Sequence, residues 1–334
     1  MRRTYKRRML AAIAVAALAV MLAGCSDEAG TGKVYTTAEG EEKAMQEGVA
    51  AATPDNLPAL MMAREAEAIY AQLSPEFKQM VSLTDLKTGL DQGLAAVQEL
   101  APVSKLALNG HDMRMWSDPG HKVVVRGIFD ENGLIVSLVL NNLPIIDASS
   151  SQPTEQTYAL PFQEDWFVFW GGDNVMVNYH YEYEDQRYAY DFFIVKDGYT
   201  YAGDRARNES YHAFGQPLLA PADGVVVSVV DDIADNVPVG AMNEQQPLGN
   251  AVVIDHGGEY SIVAHLQEGS PTVQAGDKVS KGQVIGLAGN SGNSSEPHLH
   301  FQVSDGVEIF RSRSLDIQWE DDLRPVQGDT VSGK

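Results

Sequence analysis

Apolar positions follow a helical rhythm early in the chain and a two-residue rhythm later. Met62, Ala66, Ile69 and Leu73 recur at helical spacing and predict one buried stripe. Ser74-Pro75-Glu76 combines an N-cap, a proline at the first helical position and an early acid, predicting a second short helix through Phe77, Met80 and Val81. Thr84 is placed to cap a third, with Leu86, Leu90, Leu94 and Val97 on one face. From residue 122 the period shortens. Lys122–Phe129 (KVVVRGIF) and Leu134–Leu140 (LIVSLVL) flank Asp130-Glu131-Asn132-Gly133, the chemistry of a hairpin turn. Helices followed by antiparallel strands predict an α+β domain over residues 44–147.

A Ser/Pro-rich stretch, DASSSQPTEQ, precedes a second pattern, and 148–156 is expected to be a linker. Trp166, Val168 and Trp170 then alternate as in a half-buried strand. Gly224–Val230, Ala251–Ile254, Tyr260–Ala264, Gln283–Ala288 and Leu299–Val303 are short glycine-punctuated β-runs. Residues 157–310 are therefore expected to form a mostly-β sandwich or barrel. Residues 311–334 are charged without a clear period and are expected to be a loose tail.

The densest chemistry lies in Gly289–Val303, GNSGNSSEPHLHFQV. Residues i and i+2 of a strand share a face, so His298 and His300 project together while Leu299 and Phe301 turn away. Paired imidazoles of this kind commonly hold a transition metal, although solvated or core-satisfied pairs share the spacing. Around them stand APADGV (220–225), GNAVVIDH (249–256), AHL (264–266), GDKV (276–279), GQVIG (282–286) and PHLHF (297–301). In order and spacing, these words resemble the lysostaphin/LytM-type zinc endopeptidases, which cut peptidoglycan peptides.

The resemblance implies a lysostaphin-type β fold with a duplicated hybrid motif. It also implies a Zn2+ cofactor and peptidoglycan peptides as partner, with Asp191 in QRYAYDF and His300 as metal ligands. His265 and His298 then correspond to the family's two non-ligand catalytic histidines. The first ligand departs from the commonest pattern, because Arg187 stands where a histidine is expected and a guanidinium cannot ligate zinc. His180, in Asn178-Tyr179-His180-Tyr181, is the preferred substitute and His212 the runner-up. Arg187 is expected near the rim, holding a substrate carboxylate or pairing with Glu182, Glu184 or Asp185. His256 is expected to be a structural or surface residue, and His111 and His121 exposed loop histidines. The order of helices and hairpin over 44–147 loosely resembles nuclear-transport-factor-2-like domains. A metal-free binding or regulatory module is the alternative to an enzyme.

Composition narrows the setting. The 334 residues carry 24 Lys+Arg against 46 Asp+Glu, a formal charge of −22 that disfavours nucleic acid as a partner. Arg2, Arg3, Lys6, Arg7 and Arg8 precede an apolar run from Met9 to Ala23 that ends in Leu22-Ala23-Gly24-Cys25. This order reads as a secretory signal over 1–24 and resembles a bacterial lipobox, with the single cysteine, Cys25, as lipidation site. Losing the five leader cations takes the formal charge from −22 to −27. Residues 25–43 are expected to be a tether, and the protein is expected to be extracytoplasmic, lipid-anchored to a bacterial membrane.

Overall fold

In the computed structural model, residues 50–334 are described. The signal, Cys25 and the whole of the tether lie outside them. The described chain divides into two compact units at residue 145/146.

The amino-terminal unit opens with α1 (Leu57–Ala63), α2 (Ala66–Ala71), α3 (Pro75–Met80) and α4 (Leu83–Gly93). The stripe expected to form one helix is broken at Arg64, whose backbone is left-handed (φ 63°). Its guanidinium donates to the carbonyls of Met61, Met62 and Leu94, satisfying the end of α1. Ser74 caps α3 as expected, accepting from Phe77 N at 3.1 Å. The cap of α4 is Ser82 rather than Thr84. Its hydroxyl accepts from Asp85 N and the Asp85 carboxylate accepts from Ser82 N, a reciprocal box that Thr84 is too late to make.

Four strands follow as an antiparallel meander: β1 (Ala101–Leu108), β2 (His111–Ser117), β3 (Val123–Phe129) and β4 (Ile135–Asn142). The hairpin of β3 and β4 is the one read from the sequence, while β1 and β2 were not anticipated. Leu57, Met61, Ile69, Leu73, Leu90 and Leu94 pack with Trp116, Val125, Phe129 and Ile135 as the core. His111 and His121 keep local partners, the Asn109 carbonyl and the Ser117 hydroxyl.

The carboxy-terminal unit is mostly β. Its largest sheet is antiparallel, in the order β12 (Lys278–Val279), β9 (Gly224–Val230), β10 (Asn250–Asp255), β11 (Tyr260–Leu266), β14 (Leu299–Ser304), β7 (Tyr190–Phe193), β6 (Glu164–Trp170), β16 (Thr330–Gly333). Two small sheets, β8 (Pro217–Leu219) with β13 (Val284–Leu287) and β5 (Pro153–Tyr158) with β15 (Asp316–Trp319), pack against one face of it. The core between them holds Trp166, Val168, Phe192, Val252, Ile254, Val263, Leu299, Phe301 and Trp319. The period of two explains this directly, since alternate residues of β10, β11 and β14 reach the core and leave the others on the opposite face.

Two expectations fail here. Residues 153–156 are not linker, because Thr154 and Tyr158 point inward and β5 pairs in parallel with β15. The tail is not loose either: Ile317 and Trp319 are buried, and β16 closes the sheet edge against β6. Four-residue strands interrupted by Glu, Asp and Pro carry too few alternations to register as a period. Among the described residues, no helix is long and apolar enough to cross a membrane.

Candidate metal centre

The open face of the large sheet carries the histidines. His300 on β14 lies directly opposite Asp191 on β7. Directly paired residues of antiparallel strands share a face, so imidazole and carboxylate meet, with His300 Nδ1 2.9 Å from Asp191 Oδ1. His180 enters from a single 3-10 turn, Tyr179–Glu182, with its Nε2 3.7 Å from Asp191 Oδ2. One ligand atom from each of His180, Asp191 and His300 lies within 4.8 Å of the other two, and all three side chains are buried.

Asn178 explains how a loop histidine reaches the sheet. Its side-chain oxygen accepts from His180 N at 3.2 Å and lies 3.0 Å from His180 Nδ1, while its amide donates to the carbonyls of Gly172 and Ala189. The turn is thereby tied to the start of β7. With Nδ1 donating to Asn178, His180 Nε2 keeps its lone pair, and this buried atom has no hydrogen-bond partner. An orphaned acceptor beside a carboxylate and a second imidazole is what a metal would satisfy. His300 is held in a comparable way, with Nε2 3.1 Å from the Gln302 side-chain oxygen, and the Gln302 amide is fixed on the Asp185 carbonyl. The donor set suits zinc: two imidazoles, each with an outer partner, and a carboxylate.

Electrostatics agree with that donor set. Burial pushes the His180 pKa down to about 3, so the ring is neutral. Burial opposes ionisation of Asp191, but His180 and the contacts from His298 and His300 outweigh it and hold the carboxyl well below its usual range.

His265 and His298 flank the trio. Their ring centroids are 4.8 Å apart, and His265 lies 5.8 Å from His300. His265 occupies a β-bulge, since β10 pairs Asn250 with Leu266 and then Ala251 with Ala264, leaving His265 unpaired in register. Its backbone is left-handed (φ 61°), a conformation that costs a non-glycine residue about 1 kcal/mol or more. The bulge turns onto the open face a side chain that regular pleating would send to the core. Ser291 and Asn250 hold it there: the Ser291 carbonyl lies 2.8 Å from His265 Nδ1, and the Asn250 amide and Ser291 hydroxyl both donate to the Leu266 carbonyl. Gly249, also left-handed, lies so close to Ser291 that a Cβ would strike its backbone. His298 Nδ1 is 2.8 Å from the Glu296 carbonyl, and its ring stacks on Phe193. Burial and the neighbouring imidazoles push His265 well below its ordinary value. Burial acts the same way on His298, but Asp191 overrides it and the net shift is upward.

The remaining candidates lie elsewhere. His212 is half-buried, outside the cluster. His256 is a structural residue, bridging the Asp223 carbonyl and the Ser261 hydroxyl at 2.8 Å each. Arg187 is not at a rim. It is 6% exposed, donates to the carbonyls of Tyr181 and Asp147, and lies over the Tyr181 ring rather than pairing with Glu182, Glu184 or Asp185. A buried guanidinium satisfied by carbonyls supports the turn that carries His180. Asn178 and Gln302 were missed from sequence; the only signals were an amide two residues before His180 and another two after His300.

Residues 210–311 match the model of Peptidase family M23. The match covers 102 of the 334 residues. The matched stretch contains His265, His298 and His300, whereas His180 and Asp191 precede it. Among curated relatives, peptidoglycan DD-endopeptidase ShyA of Vibrio cholerae is 39% identical over 90 residues, 27% of this chain and 17% of that protein. DD-carboxypeptidase/endopeptidase Mpg of Neisseria meningitidis is 36% identical over 90 residues, with the same shares of 27% and 17%. The chain thus aligns with about one sixth of either relative. The catalytic domain of lysostaphin from Staphylococcus simulans is 21% identical, covering 45% of this chain and 88% of that domain, with a TM-score of 0.27.

Proposed function

We propose that the protein is a zinc-dependent endopeptidase that hydrolyses amide bonds in peptidoglycan peptides. The observation that carries this reading is the buried His180, Asp191 and His300 trio with its orphaned His180 Nε2. The M23 match and the peptidoglycan endopeptidases among the relatives supply the substrate class. Bound by the trio, zinc would polarise the peptide carbonyl and make water nucleophilic near neutral pH. His265 and His298 each have Nδ1 engaged by a carbonyl, which leaves Nε2 to accept a proton from water, donate one to the leaving amine, or hydrogen-bond the developing oxyanion. We take His265 as the base and His298 as the proton or hydrogen-bond donor, an assignment that His265→Gln and His298→Gln variants test.

Elemental analysis of the purified protein should give one zinc per chain, and digestion of defined muropeptides, read by mass spectrometry, should show amide cleavage that stops on chelation. No zinc after repletion and no cleavage would instead support the metal-free module.

The proposal extends to location. Residues 1–24 are taken as a secretory signal and Cys25 as the lipidated first residue of a protein anchored outside the cytoplasm. A Cys25→Ala variant should leave the membrane fraction and lack lipid; a variant that still carries lipid and sediments with membranes overturns this. The amino-terminal unit is proposed to be an accessory domain of nuclear-transport-factor-2-like type, supported only by its order of helices and antiparallel sheet.

A further inference from the structure

An arc of aromatic side chains surrounds Asp191 on the open face of the large sheet. The two-residue period that sends Trp166 and Val168 into the core would send Trp170 after them. A β-bulge prevents it. Strand β6 pairs Val168 with Phe192 and then Trp170 with Asp191, so Phe169 is the extra residue and Trp170 shares the face of Asp191. Trp170 meets Tyr179 edge to face at 5.4 Å between centroids, and Tyr179 lies on His180 at 3.9 Å. In the other direction Trp170 meets Phe169 at 5.3 Å, Phe169 meets Phe193 at 4.8 Å, and Phe193 stacks on His298 at 5.0 Å. The arc thus begins at one histidine of the site and ends at another, and Nε2 of each lies 3.7 Å from an Asp191 oxygen.

Packing alone does not account for the arc. Phe169, Trp170 and Tyr179 are half-buried, and none of them belongs to the apolar core beneath the sheet. The other three tryptophans, Trp116, Trp166 and Trp319, are at most 5% exposed, so Trp170 is the indole that the fold leaves partly open. Paired residues of antiparallel strands have Cα atoms about 4.5–5.5 Å apart, and an extended peptide advances about 3.3 Å per residue. A peptide whose carbonyl lies at Asp191 and His300 therefore brings a side chain next to the cut bond against Trp170. Charge selects among side chains. With His180 neutral, a divalent ion held against one carboxylate leaves the centre net positive, which repels an ammonium group. The ring faces present the negative side of their quadrupole, which repels a carboxylate. An aliphatic group meets neither penalty and gains by leaving water.

We infer that Phe169, Trp170 and Tyr179 form the specificity wall of the metal centre, taking an aliphatic side chain of the substrate residue next to the cut bond and turning away charged ones. The inference rests on the peptidase reading and deepens it. The bulge in β6 is the device that builds the wall. Phe169 and Trp170, the two residues it re-aims, are the ones that join Tyr179 to Phe193, and with regular pleating the arc would be open at its middle.

The test uses the full chain with its zinc and peptides carrying glycine, alanine, aspartate or lysine on each side of the cut bond in turn. On one side alanine should exceed glycine in kcat/KM by about fourfold, the worth of one buried methyl, with aspartate and lysine at least about tenfold below alanine. Trp170→Ala should bring alanine and glycine to within about twofold of each other, the methyl's contact being lost. Trp170→Phe, which keeps a ring at the position, should retain the preference, and zinc should stay at one per chain in both. Phe169→Leu should narrow the ratio too, and it decides the matter should Trp170→Ala lose zinc or fold poorly. Tryptophan fluorescence reads the contact without turnover. A ketomethylene analogue of the alanine peptide, which cannot be cut, should shift the emission to the blue by covering Trp170, and the shift should be absent in Trp170→Phe. A series cut equally well, a preference that neither Trp170→Ala nor Phe169→Leu moves, or an emission that the analogue leaves in place overturns the wall. Lysine favoured over alanine overturns it as well, by making the arc a cage for cations. Failure of the peptidase reading looks different: no peptide is cut by zinc-replete protein, and the fluorescence titration still decides the wall.

Discussion

A His180→Ala variant should lose zinc and peptidase turnover together. Removing an outer partner of a metal ligand costs about 10–100-fold in affinity or activity, so removing a ligand should cost more than about 100-fold. Without His180 the cluster keeps one imidazole and one carboxylate, fewer than the three protein ligands that catalytic zinc normally takes. Elemental analysis beside a muropeptide assay checks both halves. Asn178→Ala should fall in the outer-partner range, because it frees the ring and loosens the turn at once. His212→Ala should keep zinc, because His212 lies outside the cluster, and Arg187→Ala should weaken zinc binding no more than Asn178→Ala, because Arg187 braces the turn through backbone carbonyls and is not itself a ligand. Stoichiometric zinc in the His180 variant, with loss in the His212 variant, would transfer the ligand role to His212.

What could be read from the sequence follows from the range of each signal. His298 and His300 share a face by strand period alone, and Asp130–Gly133 encodes its own turn, so both were visible within a few residues. Trp166 and Val168 announced a strand for the same reason. The break at Arg64 was hidden because the carbonyl of Leu94, thirty residues away, helps to satisfy the guanidinium that stabilises it. The bulge at His265 was hidden more deeply. Nothing in Ala264-His265-Leu266 favours a left-handed backbone; the preference comes from Ser291 and Asn250, which close around it only in the folded chain. Arg187 was misplaced for a similar reason: its charge suggested a rim, whereas the nearby Tyr181 carbonyl and the Asp147 carbonyl, forty residues away, take up its donors. The candidate ligand at position 180 was a choice between two loop histidines that spacing could not make, and of the two the fold brings His180 to Asp191. Strands β15 and β16 were too short to show a period, and their burial depends on pairing with β5 and β6.

Replacing His265 or His298 by alanine should cut kcat by about 10²–10⁴-fold, the usual worth of a positioned acid or base, while zinc stays at one per chain. The separation follows from where the rings are tied. Each Nδ1 faces a backbone carbonyl, Ser291 for His265 and Glu296 for His298, and the ligand atoms that converge are those of His180, Asp191 and His300, a group that leaves out both rings. His298 Nε2 lies 3.7 Å from the same Asp191 oxygen that His300 approaches to 2.9 Å, near enough to share the site but outside the closest contact. A conservative pair separates the two roles. Glutamine can donate a hydrogen bond to an oxyanion but cannot carry a proton. His298→Gln should therefore recover part of the rate lost in His298→Ala if His298 stabilises charge, whereas His265→Gln should recover none if His265 is the base. Phe193 keeps the His298 ring in plane by stacking at a centroid distance of 5.0 Å, so the glutamine carboxamide has a flat surface to lie on. Zinc loss in either alanine variant as complete as in His300→Ala would mean that the ring is a ligand and the assignment of roles is wrong.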